Sequence, residues 1–181
     1  MPPGPDGVLH GAVNAASMPP SMRLETSALV EEVGPDAVYA VAADLRNLPA
    51  WWIEHLNAEV MTPAARLRDT VYSVRYRLPW GLVISATCTV VAARVNRSLT
   101  YAWAGGGMRM AVGQEFEPVD QGTQMRLVAD LRVGRPLTPF APILLRLMRR
   151  ELSGEIDRAL TTLADLAAAR AVVRRGGRLA G

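Results

Sequence analysis

Alternation of apolar and polar side chains dominates the middle of the chain and predicts a series of β-strands. In residues 70–78 one face carries Tyr72, Val74, Tyr76 and Leu78, and polar positions fall between them. A period of two is typical of a strand with one buried face. The same pattern predicts further strands at residues 23–33, 56–61, 82–95, 99–103, 108–119 and 123–133.

A period of three to four residues replaces this alternation at two places and predicts helices. Residues 35–43 begin with a proline, which suits the first turn of a helix, and place Val38, Val41 and Ala42 on one face. A longer helix is predicted at residues 141–169. Its apolar stripe consists of Leu144, Met148, Leu152, Ile156, Ala159, Leu163 and Leu166.

A polar turn at residues 44–52 follows the first helix and ends in two tryptophans, Trp51 and Trp52. An aromatic side chain buries ~150–250 Å² when it packs. We therefore expect the tryptophan pair to act as a lid or plug around which the other elements pack.

The predicted strands follow one another through short turns, which favours an antiparallel sheet with one buried face. The stripe of residues 141–169 is the only long apolar stripe available to cover that face. The predicted fold class is therefore α+β. It comprises a curved antiparallel sheet of about seven strands wrapped around a long C-terminal helix, with two short helices after strand 1.

Proline content and charge divide the chain into three segments. Residues 1–20 hold five prolines and no periodic pattern, which predicts a disordered leader. Residues 21–169 form the predicted domain, and residues 170–181 form a predicted flexible basic tail. A length of 181 residues suits a single domain.

Composition excludes several classes of function. The net charge of +3 is too small to indicate nucleic-acid binding by itself. All basic residues are arginines, so lysine Schiff-base chemistry is excluded. The single cysteine, Cys88, predicts a reducing compartment, and no apolar run reaches the ~18 residues of a membrane span. We expect a cytoplasmic protein without a transmembrane segment, a metal site or a cofactor.

His55 is the one histidine within the predicted domain. An ordinary histidine titrates near neutral pH and can transfer protons there. Two interpretations are open from the residues alone. His55 is either a surface residue at the start of a strand, or a cavity residue that forms hydrogen bonds or performs acid/base work.

Other candidates lie on the predicted inward faces of the strands. Tyr72, Tyr76, Tyr101 and Trp103 are either ordinary core or the lining of a cavity with polar tips. Gln114 interrupts an apolar row, so a ligand or a neighbouring side chain must satisfy its amide. Adaptable packing is expected from Met108, Met110, Met125 and Met148. Cys88 has apolar neighbours and is expected to be inert.

The element order resembles the helix-grip fold of the START-like, Bet v 1-like (SRPBCC) superfamily, in particular its polyketide cyclase/dehydrase branch. The resemblance covers residues 23–168 and depends on residues 35–52, the hairpin at residues 121–126 and the terminal amphipathic helix. It implies an apolar cavity between the sheet and the long helix. The ligand-binding residues implied together by the faces and the resemblance are Trp51, Trp52, His55, Tyr72, Tyr76, Cys88, Tyr101, Trp103, Met110, Gln114 and Met148.

Cyclases of this family use a tyrosine shortly after the aspartate–tryptophan turn and an arginine on a middle strand. Counted from Asp44, the tyrosine position falls on His55. The middle strand offers Ile84, Ala86, Cys88 and Val90 on its inward face, so the arginine is missing.

Two classes of function follow from the resemblance. One is a binder of a hydrophobic small molecule, a lipid or a polyketide-like metabolite. The alternative is a polyketide cyclase/dehydratase with His55 as acid/base. An acyl carrier protein or an anionic surface is a further expected partner, through a basic patch of Arg132, Arg135, Arg146, Arg149 and Arg150.

Overall fold

Seven antiparallel strands form one curved sheet in the order β1-β7-β6-β5-β4-β3-β2, as the alternating patterns predict. The computed structural model describes residues 19–78 and 80–179, with side chains up to residue 173. The strands are β1 (Ser21–Glu31), β2 (His55–Thr62), β3 (Val71–Arg77), β4 (Val83–Arg94), β5 (Ser98–Gly105), β6 (Met108–Val119) and β7 (Gly122–Val133).

Helices occupy the two places at which the three-to-four period predicts them. They are α1 (Pro35–Ala43), α2 (Leu48–Trp51) and α3 (Ala141–Leu179), with 3₁₀ helices at Leu45–Asn47 and Arg135–Phe140. The predicted α+β helix-grip arrangement is therefore confirmed, including two short helices after β1. Within the described residues, no helix combines the length and apolar character needed to cross a membrane.

The predicted stripe of α3 closes the core. Met148, Leu152, Ile156, Ala159 and Leu163 are each at most 3% exposed. The helix packs on β1, α1 and α2, and the inward side chains of the strands lie beneath it. Burial of each large apolar side chain contributes about 1.5–3 kcal/mol, so this stripe is a main source of stability.

The C-terminal limit of α3 differs from the prediction. The helix continues to Leu179 rather than ending at residue 169, so the flexible tail predicted from residue 170 is wrong for residues 170–179. Alanines at 167–169 and 171 have high helix propensity, and no proline interrupts them. Ala167 also extends the buried stripe.

The N-terminal limit of the fold lies slightly before the predicted one. The backbone N–H of Val133 donates to the carbonyl oxygen of Pro20 at 2.9 Å, so the chain is attached to β7 from residue 20 onward. The rest of the predicted leader, residues 1–18, lies outside the described residues.

The turn between α1 and β2 holds the tryptophan pair in the core. The Asp44 carboxylate accepts from the backbone N–H of Arg46 at 3.2 Å and from its guanidinium at 2.7 and 2.8 Å. This cap starts the 3₁₀ helix and directs the following residues inward. Trp51 and Trp52 are 1% and 0% exposed, in agreement with a plug.

Candidate functional site

A small apolar cavity lies between the sheet and the first half of α3. Its volume is about 50 Å³. The wall consists of Tyr76, Leu78, Ile84, Ala86, Trp103, Gly105, Met108, Met110, Leu131, Met148 and Leu152. Nearly all of these side chains are aliphatic, so the polar groups that reach this region determine its chemistry.

The size of the cavity limits what it can hold without rearrangement. A volume of about 50 Å³ suits one or two water-sized groups. Sites for larger ligands usually measure about 300–1,000 Å³. A lipid-sized ligand must therefore displace side chains of the wall. Met108, Met110 and Met148 are unbranched and can adopt other rotamers at low cost.

A buried tyrosine–carboxyl pair is the main polar feature beside the cavity. Tyr76 Oη, on β3, donates to Glu155 Oε2, on α3, at 2.5 Å. Glu155 is 4% exposed, and burial raises the pKa of its carboxyl to about 7. The hydrogen bond from Tyr76 acts in the opposite direction, and the neighbouring Glu54 raises the pKa further. Burial, followed by the charge of Glu155, also raises the pKa of Tyr76 far above its usual range.

The outer side of this pair carries its own charges. Arg158 Nη2 lies 3.3 Å from Glu54 Oε1, and Arg158 partly opposes the rise in the Glu155 pKa. Glu155 was missed by the sequence analysis, although a signal was present. It follows Leu152 by three residues and precedes Ala159 by four, which places a carboxylate on the buried stripe.

His55 lies inside an aromatic box rather than on the surface. It is 1% exposed, so the interpretation of His55 as a surface residue is wrong. Its ring centroid lies 4.8 Å from that of Trp52, 5.1 Å from Tyr76 and 4.7 Å from Trp103. Burial lowers the pKa of His55 to about 3, which keeps the imidazole neutral at physiological pH.

The tautomer of His55 follows from its one hydrogen bond. Nδ1 lies 3.3 Å from the carbonyl oxygen of Trp52, so Nδ1 carries the proton and donates. Nε2 is then an acceptor, and it has no partner among the described residues. The indole N–H of Trp103 is likewise without a partner in this part of the chain.

Gln114 finds one of the partners that the sequence analysis required. Its Nε2 donates to the hydroxyl oxygen of Tyr101 at 3.4 Å, and both side chains are fully buried. The amide oxygen of Gln114 has no partner within the described chain. A neighbouring side chain thus satisfies half of the amide.

The structure separates the predicted ligand-binding residues into two groups. Tyr76, Trp103, Met110 and Met148 line the cavity. The others are buried but do not line it, namely Trp51, Trp52, His55, Tyr72, Cys88, Tyr101 and Gln114. The lining residues that were not predicted as site residues are Leu78, Ile84, Ala86, Gly105, Met108, Leu131 and Leu152. Strand alternation already placed most of these on inward faces.

The inner face of β4 has the composition expected from the sequence. Ile84 and Ala86 line the cavity, and Cys88 and Val90 are fully buried behind it. Burial raises the pKa of the Cys88 thiol well above its usual range, so this side chain stays protonated and unreactive. In the described part of the chain, no cluster of side chains has a metal-binding arrangement.

The five arginines of the predicted basic patch are all exposed, but they lie in more than one place. Arg132 and Arg135 line one surface groove, together with Arg109. Arg146 and Arg150 line another on the outer face of α3, and the two grooves share no lining residue.

Solved structures resemble this fold at low sequence identity. The di-domain ARO/CYC StfQ of the steffimycin biosynthetic pathway has a TM-score of 0.68 and 13% identity, with 83% of this chain and 52% of that chain covered. This chain thus spans about half of that di-domain protein. The Zhui aromatase/cyclase of Streptomyces sp. R1128 has a TM-score of 0.67 and 15% identity, covering 83% and 96% of the two chains.

A third similar structure comes from Thermus thermophilus, and the family comparison covers most of the chain. This protein, TTHA0849, has a TM-score of 0.67 and 20% identity, with 83% of the present chain and 99% of that chain covered. No curated protein matches the sequence. Residues 21–168 match the family described as polyketide cyclase / dehydrase and lipid transport, and the chain therefore belongs to that family.

Proposed function

We propose that this protein binds an apolar small molecule that carries a hydroxyl or carbonyl group. The cavity takes the apolar part, and the Tyr76–Glu155 pair takes the oxygen function. The observation that carries the proposal is the buried pair itself, a hydrogen-bonded carboxyl beside a wall of aliphatic side chains. A buried carboxyl destabilises a fold relative to an apolar residue of similar size, so a ligand contact explains its presence.

The pair suits an oxygen function because it can both donate and accept. With a pKa of about 7, Glu155 exists near neutral pH as a mixture of protonated and ionised forms. The protonated form donates to a carbonyl, and the ionised form accepts from a hydroxyl. The apolar wall supplies affinity through burial, and the pair supplies orientation.

Access to the cavity runs past the first turns of α3. Residues 142–147 include no buried side chain, whereas Met148 and Leu152 on the following turns line the cavity. This weakly packed segment costs less to displace than the rest of the helix. Its movement, together with new rotamers of the three methionines, enlarges the cavity for the ligand.

Binding of an uncharged fluorescent probe, 1-aminoanthracene, tests the proposal. We expect the probe to bind and to be displaced by dodecanol more readily than by dodecane, because only the alcohol offers a partner to the pair. Tyr76→Phe leaves Glu155 without its donor and should weaken dodecanol at least tenfold. Tyr39→Phe is the control, since Tyr39 contacts Phe116 away from the cavity. Equal displacement by the alcohol and the alkane would contradict the proposal.

A second function, polyketide cyclase/dehydratase, is supported by the pKa of the same carboxyl. Dehydration of a β-hydroxy carbonyl removes a proton from the α carbon and releases the hydroxyl as water. Protonated Glu155, with Tyr76, would donate the proton to the departing hydroxyl, and its carboxylate would accept the α proton in turn. His55, the acid/base residue expected from the sequence, is a weak base at neutral pH because its pKa is about 3.

Turnover of a poly-β-keto substrate by the purified protein tests this second function. Glu155→Gln should abolish the dehydrated aromatic product while 1-aminoanthracene still binds. His55→Ala is compared in the same assay. Loss of turnover with intact binding only in the His55 variant would assign the proton transfer to His55 instead. No product from the unaltered protein would leave binding as its sole activity.

Docking of an acidic acyl carrier protein is a further part of the enzymatic proposal. Arg146, Arg149 and Arg150 are exposed on α3 beside the access segment, where a delivered substrate would enter. A cytoplasmic location fits such a partner and the single cysteine. Carrier-protein binding should weaken steeply with salt and with Arg146→Glu, and salt-independent binding would count against it.

A further inference from the structure

Three arginines line a surface groove beside the cavity. The groove has a volume of about 730 Å³ and lies where β6 and β7 meet the 3₁₀ helix Arg135–Phe140. Arg109 belongs to β6, Arg132 to β7, and Arg135 begins the 3₁₀ helix. All three side chains are exposed.

The charges of this groove are not neutralised by the protein. Arg109 and Arg132 stand directly opposite each other in the β6–β7 register, an arrangement that destabilises a sheet. None of the three arginines forms an ion pair with a carboxylate in the described part of the chain. Asp130, two residues before Arg132, pairs with Arg23 instead, at 3.7 Å. An anion in the groove would relieve the repulsion.

The backbone fixes the position of Arg135 relative to the strand arginines. The N–H of Gly134 donates to the carbonyl oxygen of Gly107 at 2.8 Å. A Cβ atom at Gly134 would lie 2.7 Å from that oxygen, so only glycine allows the contact. This close approach joins the β5–β6 turn to the start of the 3₁₀ helix and forms the floor of the groove.

The groove is continuous with the apolar cavity. Gly105 and Met108 line both of them. A molecule with its charged group at the arginines can therefore pass an apolar tail beside Met108 toward Tyr76 and Glu155. The two sites together match an amphipathic ligand, with the anion outside and the tail inside.

We propose that the groove of Arg109, Arg132 and Arg135 binds the anionic oxygen group, phosphate or carboxylate, of an apolar molecule whose tail enters the cavity. Guanidinium groups recognise both anions through paired N–H donors. The tail rests on the proposed function, whereas the anion site stands on the groove alone.

Calorimetric titration of the full chain tests the proposal with four probes, namely dodecyl phosphate, dodecanoate, dodecanol and inorganic phosphate. The amphiphiles are used as monomers. We expect at least one of the two anionic amphiphiles to bind about tenfold more tightly than dodecanol at low salt. Which one binds more tightly identifies the anion. High salt should reduce this advantage.

Paired variants locate the site. Arg109→Gln combined with Arg132→Gln should remove the advantage of the anionic amphiphile and leave dodecanol unchanged. Arg75→Gln combined with Arg94→Gln is the control, since both are exposed strand arginines outside the groove. An equal loss in both pairs, or no advantage of either anion over dodecanol, would overturn the proposal.

The remaining outcomes separate the two proposals. If dodecanol fails to bind while an anion binds through Arg109 and Arg132, the groove stands and the cavity function fails. If dodecanol binds and the arginine pair changes nothing, the cavity function stands and the groove fails. Binding to anionic phospholipid vesicles without binding of monomeric amphiphiles would make this face a membrane surface and would also contradict the groove proposal.

Discussion

Glu155 connects pH with the stability of the fold, because it is the one carboxyl on the buried stripe of α3. Folding raises its pKa from 4.5 to about 7. Its contribution to stability is thus fully present below pH 4.5 and is lost as the pH rises through 7. Above that pH the fold must hold a buried carboxylate, which only the Tyr76 hydroxyl solvates directly.

Replacing this carboxyl should change the pH profile in a predictable direction. Glu155→Gln should raise the melting temperature above pH 7 by a few degrees and have little effect near pH 5. Circular dichroism melts across this range measure the difference. Glu151→Gln, one turn earlier and exposed, is the control. A difference that grows toward acid pH would show that Glu155 is ionised in the folded protein throughout.

His55 should remain neutral over the range in which an ordinary histidine titrates. Because burial lowers its pKa from 6.5 to about 3, its contribution to stability is present above pH 6.5 and is lost as the pH falls toward 3. In a His10→Ala variant, the single remaining imidazole should show unchanged NMR chemical shifts between pH 8 and pH 5. A midpoint near 6.5 would mean that the ring reaches solvent.

At the residue scale, the sequence analysis was limited by contacts between distant segments. Alternation correctly placed Tyr76 and Trp103 on inward faces, because face is a local property of a strand. It gave no means of pairing Tyr76 with Glu155, which lies 79 residues away along the chain. The burial of His55 likewise depends on Trp103, a residue of another strand.

At the scale of elements, α3 has two different faces whose roles can be separated by mutation. Met148→Asp places a charge at a 3%-exposed position and should destabilise the fold by about 3 kcal/mol or more. Arg149→Asp, on the adjacent exposed position, should change stability by far less. Urea denaturation of both variants provides the comparison. Similar midpoints would show that Met148 is not part of the core.

The elements themselves were the most predictable part of the protein. Seven strands and the long helix were recognised because their periodicity covers many residues and averages out single exceptions. The error at the end of α3 has a local cause. Residues 170–179 combine arginines and glycines, which indicate a tail, with a preceding alanine-rich run that continues the helix.

At the scale of the whole molecule, the sheet and α3 together determine how much space a ligand finds. The resemblance implied a cavity but not its volume, because volume depends on how side chains from several strands fill the same space. Only about 50 Å³ is open, since the aromatic box and three methionines occupy the rest. Ligand binding must therefore be coupled to displacement of the wall, and filling the cavity should oppose it.

Ala86→Val tests this coupling, because Ala86 lines the cavity and two extra methyl groups there reduce the open space. In the unaltered protein, dodecanol should raise the melting temperature, since it binds only the folded state. We expect this increase to shrink in Ala86→Val, while the unliganded variant melts at an equal or higher temperature because about 0.8 kcal/mol accompanies each buried methylene. Thr87→Val, the next residue on the outer face of β4, should leave the ligand-induced increase unchanged. If Ala86→Val and the unaltered protein respond equally to dodecanol, the ligand binds elsewhere and the cavity is part of the packing defects of an ordinary core.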